Sequence, residues 1–300
     1  MRLTRRENLH ILKWRILPRL TIQTVTASSI SSNTCFIRGT HAKKGRTQWL
    51  TPESGAVREL HYGRIILDAG AAPVQFENGT HETGLICLNG RAEVMAGGSR
   101  FTLGLYDSLY VPRDSSIEVT ALEAGCDLAE ISAPVEHSYP LQFIPYENVK
   151  SDPGLRFQTG ATSFERTVNI LIGKNVQAGR ILAGVTFSQP GNWTSWPPHE
   201  HAEILEEAYV YIAMPAPAWG TQFVYTDAKE PELVQVVREG DCVVMPAGYH
   251  PNVAAPGGSI NFLWIMAAHR EVVDRQFGVV NVQPEYAGAG SGLESGLAAK

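Results

Sequence analysis

The chain has few cysteines, no long apolar run and no excess of positive charge. Its four cysteines, Cys35, Cys87, Cys126 and Cys242, are scattered and form no C-x-x-C pair. That excludes a short-range disulfide framework and fits buried free thiols in a reducing compartment, so a cytoplasmic location is expected. No apolar stretch approaches the roughly 20 residues that a spanning helix needs, so no membrane segment is expected. Lysine and arginine number 25 against 30 aspartate and glutamate, a net charge of −5. Such a chain presents no basic field for a nucleic acid. Sustained 3.6-residue periodicity is also scarce, which argues against a helical fold.

Glycine and proline are plentiful, at 28 and 18. They punctuate short runs of β-prone residues such as RIILDAG, GLICLNGRAEVMAGG, AYVYIAM and INFLWIMAA. Many short strands between turns indicate an all-β sandwich or barrel. The two ends differ from this body. Residues 1–33 are rich in arginine and serine and poor in acids, resembling a transit peptide in composition, and are expected to form a disordered extension containing the one anticipated helix. Residues 286–300 read as a flexible Gly/Ala/Ser tail.

An internal repeat sets the architecture. Asp107 is followed by SLYV and Pro112, and Asp241 by CVVM and Pro246, with the same spacing. Upstream of these, the strand after Glu82 superposes on the strand after Glu206. The chain therefore reads as two tandem barrels, an upstream one over 34–150 and a downstream one over 151–285, joined by a polar, turn-rich linker between Pro140 and about Arg166. The copies differ in chemistry: Ser116 stands where the second copy has His250, and no histidine pair precedes Glu82. One working site, in the downstream barrel, is the expectation.

That site is built around His199 and His201, which lie two apart and so project to one face of a strand. Glu206 lies five beyond His201, so a turn through AEIL must bring it back beside the imidazoles. The turn Pro246-Ala247-Gly248 delivers His250. Three neutral imidazoles and one carboxylate suit a divalent ion, and leave positions open for a substrate. Glu207 is the competing carboxylate; its alternation puts it on the face opposite Glu206. Tyr209, Tyr211 and Trp264 read most simply as core.

At these residues the chain resembles the cupins. The pattern H-x-H-x4-E followed by G-x5-P-x-G-x-H is close to their two signature motifs, although Gly191 stands eight rather than six residues before His199. The stretches PGNWTSWPPHEH, LEEAYVYIAMP and VVREGDCVVMPAGYHPNVAAPG are similar to the sugar-acid isomerase branch. That branch includes 5-deoxy-glucuronate isomerase of inositol catabolism, and the related 4-deoxy-5-ketouronate isomerase of pectin breakdown is echoed by GATSFERTVNILIGKN. The resemblance implies a bicupin fold, aldose–ketose isomerisation of a deoxy uronic acid, and one divalent ion per chain, zinc or manganese, on His199, His201, Glu206 and His250. Candidates for the acid/base are Glu207, Tyr249 and Tyr225. Arg180 and Arg166 are candidates for the substrate carboxylate, since a guanidinium matches it bidentately. The partner expected is thus a small sugar acid, with a homodimer through sheet edges as the candidate assembly. The same ligand set also occurs in cupin dioxygenases, and a non-catalytic sugar-binding cupin is the third reading.

Overall fold

The computed structural model describes residues 30–289 together with 292 and 293. The helix expected in the N-terminal extension falls largely in residues 1–29, and the C-terminal tail mainly in 294–300, outside the described residues. Among the described residues, helix is confined to short segments, including Ser32–Cys35 and Tyr146–Ser151, and none is long and apolar enough to cross a membrane. The all-β expectation holds.

The upstream half is one sheet in the order Gly45–Leu50, His61–Leu67, Ser116–Pro134, His81–Ala96, Ser108–Val111, Gln142–Ile144. Its two longest strands shift register between Cys87 and Asn89 and again between Gly90 and Ala92. Bulges of this kind bend a strand, letting each long strand serve both walls of a barrel. The downstream half divides the same work between two sheets. One contains Leu205–Tyr211, Phe262–Ala268, Ile181–Ser188 and Arg166–Ile172 in that order; the other contains Trp193–Thr194, Asn252–Ala254, Gly220–Val224 and Leu233–Val237.

The halves exchange their lead-in strands. Phe36–Ile37, at the start of the upstream half, pairs with Cys242–Met245 of the downstream sheet. Gln142–Ile144, just before the downstream half, pairs with Ser108–Val111 of the upstream one. The segment expected as a plain linker is therefore structured, since it also carries the helix Tyr146–Ser151 and the strand Arg156–Thr159. The repeated aspartates hold these arms: Asp107 accepts the Tyr146 amide at 2.7 Å, and Asp241 accepts the Gly39 amide at 2.9 Å.

A continuous apolar core joins the halves, with Tyr62, Ile86 and Ile131 from one side and Val185, Ala208 and Val210 from the other. A second core of Ile65, Leu85, Leu109, Ile117 and Leu128 fills the upstream barrel.

Two buried carboxylates tie the halves together reciprocally. Glu206 accepts the backbone amides of Arg58, Glu59 and Leu60 at 2.8, 2.7 and 2.5 Å. Glu82 accepts those of Gly179, Arg180 and Ile181 at 2.7, 2.6 and 2.7 Å, and the Tyr110 hydroxyl at 2.6 Å. The register is matched as well, because Glu82 sits opposite Ala133 and Glu206 opposite Ala267. Charge-assisted bonds of this kind are roughly twice as strong as neutral ones, and losing the acceptor leaves the donors unpaired. Glu206→Ala should therefore lower unfolding stability by about 2–4 kcal/mol. Urea unfolding with an unchanged m-value measures this; a loss under about 1 kcal/mol would contradict the reciprocal tie.

Candidate metal centre

The downstream barrel keeps its lumen face polar at one end. Along Leu205–Tyr211 the side chains alternate, so Glu206 and Ala208 face the upstream half while Glu207 and Tyr209 face the lumen. The hairpin that was to swing Glu206 back toward the imidazoles does not do so, because its carboxylate is committed to three amides of the upstream half. Glu207 is the acid beside the histidines. One oxygen lies 3.0 Å from His201 Nε2 and 3.2 Å from His250 Nε2. Ligand-type atoms of His201, Glu207 and His250 all lie within 4.8 Å of one another, and all three residues are buried. His199 completes the cluster, its ring centroid 4.9 Å from that of His250 and 6.3 Å from that of His201.

Local backbone fixes how these rings present themselves. His199 Nδ1 is 2.9 Å from the Pro197 carbonyl, His250 Nδ1 is 3.0 Å from that of Gly248, and His201 Nδ1 is 3.3 Å from that of Leu205. A carbonyl accepts only, so each Nδ1 carries a hydrogen, and in the neutral ring Nε2 is the lone-pair nitrogen. Metal-ligating histidines are oriented in this way. His250 Nε2 is buried and makes no hydrogen bond. The turn that supplies one of these carbonyls requires Gly248, whose φ is +84° and whose missing Cβ would lie 2.6 Å from the Tyr225 carbonyl oxygen.

Burial and the neighbouring His250 push His199 down to about 3, so this imidazole is neutral. Burial also opposes charge on His201, but the hydrogen bond and charge of Glu207 outweigh it and raise His201 above its ordinary value. Glu207 is held down at about 2: burial disfavours its charge, and the adjoining His201 and His250 imidazoles overcome that. Glu207 thus favours the protonated form of His201.

The cluster opens into a cleft of about 560 Å³, counted out to its solvent-open mouth. Arg166, Ser195, Tyr209, Phe262, Trp264 and Met266 line its walls. Gly184 makes room for the Trp264 indole, since a Cβ there would sit 2.2 Å from the ring.

Of the other residues singled out from sequence, Arg166 reaches the cleft, with Nη1 donating to the Phe164 carbonyl at 3.1 Å and Nη2 to that of Gly292 at 3.0 Å. Arg180 does not. It precedes its strand, so alternation cannot aim it inward, and it donates to the carbonyls of Pro134, Ala268 and His269 at the seam between the halves. Tyr225 and Tyr249 also lie outside the cleft lining. The Tyr225 hydroxyl donates to Gln283 at 2.7 Å, and the Tyr249 ring rests against that of Tyr225 at 5.7 Å. Burial raises both phenols, Tyr225 to about 12.

Sequence reasoning gave Tyr209 to the core and passed over Ser195. The structure puts both in the cleft wall, their hydroxyls 2.6 Å apart. Parity from Glu207 would have found Tyr209; Ser195, on an irregular segment, leaves no comparable signal.

The profile of the KduI/IolB family matches residues 36–281. A 5-deoxy-glucuronate isomerase of Geobacillus thermodenitrificans is 31% identical over 251 residues, covering 77% of this chain and 89% of that protein. Another, from Geobacillus kaustophilus, is 30% identical over 242 residues, covering 75% and 85%. The crystal structure of an IolB-like protein from Salmonella typhimurium LT2 superposes with a TM-score of 0.75 at 24% identity, covering 85% of this chain and 98% of that one. Lactobacillus farciminis oxalate decarboxylase shares the fold more distantly, with a TM-score of 0.53 at 14% identity over 80% and 87% of the two chains. The fold is thus of the cupin type, and the chain belongs to the KduI/IolB family.

Proposed function

We propose that this protein is an isomerase that interconverts the aldose and ketose forms of a deoxy uronic acid, with 5-deoxy-glucuronate as the substrate, using one divalent cation per chain. The observation that carries this reading is the set of three imidazoles whose Nδ1 atoms are tied to carbonyls, gathered with one buried carboxylate at the foot of a cleft. His199, His201, Glu207 and His250 would hold the ion, and three nitrogens with one carboxylate oxygen suit zinc or manganese. Bound there, a cation would supply Lewis-acid polarisation of the substrate's carbonyl.

The chain's own residues do the rest. The aromatic and aliphatic walls, Phe262, Trp264 and Met266, keep water from the reacting carbons and strengthen electrostatic interactions within the cleft. Arg166, buried in the wall, supplies a guanidinium for the distal carboxylate. Because substrate and transition state both carry that carboxylate, Arg166 contributes uniform binding, which is read in KM. Support for the substrate comes from the two Geobacillus proteins named 5-deoxy-glucuronate isomerase.

Three outcomes follow. Protein stripped with a chelator should lose turnover of 5-deoxy-glucuronate and regain it with zinc or manganese; stripped protein retaining full activity would contradict the reading. Arg166→Gln should raise KM about tenfold or more with kcat changed less, in a steady-state assay, and an unchanged KM would remove Arg166 from the carboxylate site. The third outcome concerns pH. The proton that Glu207 stabilises on His201 must leave when a cation binds, so acid favours the metal-free form. Metal affinity should weaken by about tenfold per pH unit below the His201 value, with proton release on binding over the same range, as read by calorimetry in buffers of different ionisation heat. Proton-independent binding would rule out His201 as a ligand.

A further inference from the structure

The cleft contains a polar pair that the ligand set does not use. Tyr209 lies two residues beyond Glu207 on the same strand face, and its ring is stacked on Phe262 with centroids 4.1 Å apart. Ser195 faces it from the irregular segment before His199. Both are nearly fully buried, at 3% and 6% exposure, yet both line the cleft beside His199, His201 and Glu207. Their hydroxyl oxygens are 2.6 Å apart.

Placing Ser195 there is costly. Its φ is +49°, in the left-handed region that residues with a Cβ rarely adopt. The conformation is enforced from behind. Trp193–Thr194 pairs with Asn252–Ala254, and the Thr194 hydroxyl bonds to the Asn252 side chain. Asn252 Nδ2 in turn donates to Gln222 Oε1 at 3.0 Å, while Gln222 Nε2 donates to the His250 carbonyl at 2.8 Å. One buried network therefore positions both Ser195 and the last histidine of the cluster.

Two hydroxyls in mutual contact use one O–H between them, so the other O–H remains to donate to something else in the cleft. The histidines and Glu207 of the cluster have other engagements. The imidazole Nδ1–H groups point to backbone carbonyls, and Glu207 lies 3.0 and 3.2 Å from the Nε2 atoms of His201 and His250. The reaction proposed above needs a proton-bearing group. Its carbonyl oxygen must gain a proton and the adjacent hydroxyl oxygen must lose one.

We infer that the Tyr209–Ser195 hydroxyl pair carries this proton between the two substrate oxygens. One O–H of the pair breaks as a new O–H forms on the carbonyl oxygen; the substrate's hydroxyl O–H breaks and its proton returns to the pair through their shared hydrogen bond. The pair ends as it began, and no oxidant or reductant is consumed. The carbon-bound hydrogen moves separately and is not handled by these groups.

This inference rests on the isomerase reading, and the test separates the two. Tyr209→Phe, Ser195→Gly and the double variant are assayed beside the wild type on 5-deoxy-glucuronate, with thermal melting and elemental analysis of each. Glycine is chosen because it accepts the positive φ without strain. Each single variant should lose about 10²-fold in kcat, the scale of a positioned acid–base group, while KM, melting temperature and metal content stay near wild type. The double variant should be no slower than the worse single one, since two halves of one relay cannot be lost twice. Losses that multiply, or a Tyr209→Phe enzyme within fivefold of wild type, would overturn the relay while leaving the isomerase reading intact. A wild type that holds its metal and does not turn over the sugar acid would overturn both.

Discussion

A carboxylate at 1% exposure, Glu207, sits in a lumen otherwise walled by tyrosine, phenylalanine, tryptophan and methionine. Burying an isolated carboxylate costs several kcal/mol even after relaxation, so its surroundings must supply positive charge or hydrogen bonds. His201 and His250 do so here, each through Nε2. The rest of the site is arranged around that need. Backbone carbonyls at Pro197, Leu205 and Gly248 turn the three rings so that the nitrogen facing inward is the one able to bind a cation. A cation placed among them would satisfy the carboxylate and all three lone pairs together, which a single shared proton cannot do.

The neighbouring residue shows how one strand serves two purposes. Glu206 and Glu207 are adjacent, and the pleat sends them to opposite faces. Glu206 points to the other half of the molecule and collects three amides there; its counterpart Glu82 does the same in reverse. The duplicated acid thus belongs to the joint between the barrels, and the unduplicated one to the imidazole cluster. Thr83 occupies the position after Glu82, so the upstream copy keeps the joint and lacks the carboxylate of the cluster.

Much of this could be read from the residues alone. Strand-rich composition, the Asp-to-Pro repeat and the H-x-H pair led to an all-β duplicated fold with its polar cluster downstream. Glu206, expected as a ligand through an assumed hairpin, faces the joint instead, and two facts in the sequence point the same way. Glu207 is six residues beyond His201, an even separation, and only Glu206 has a partner in the copy that lacks the H-x-H pair. An acid shared by both copies has a shared task, which here is structural. The exchange of lead-in strands was not legible, because Phe36–Ile37 and Gln142–Ile144 are too short to carry a pattern and their pairing is decided by tertiary contacts. Arg180 was misjudged for a related reason: alternation aims side chains only within a strand, and this residue stands one position before its strand begins.

The most direct test of the central claim is the position of a bound ion. In crystals loaded with zinc or manganese, the anomalous scattering peak should lie about 2.0–2.3 Å from the Nε2 atoms of His199, His201 and His250 and from a Glu207 oxygen. A peak coordinated by Glu206, or one outside the lumen of the downstream barrel, would contradict the account.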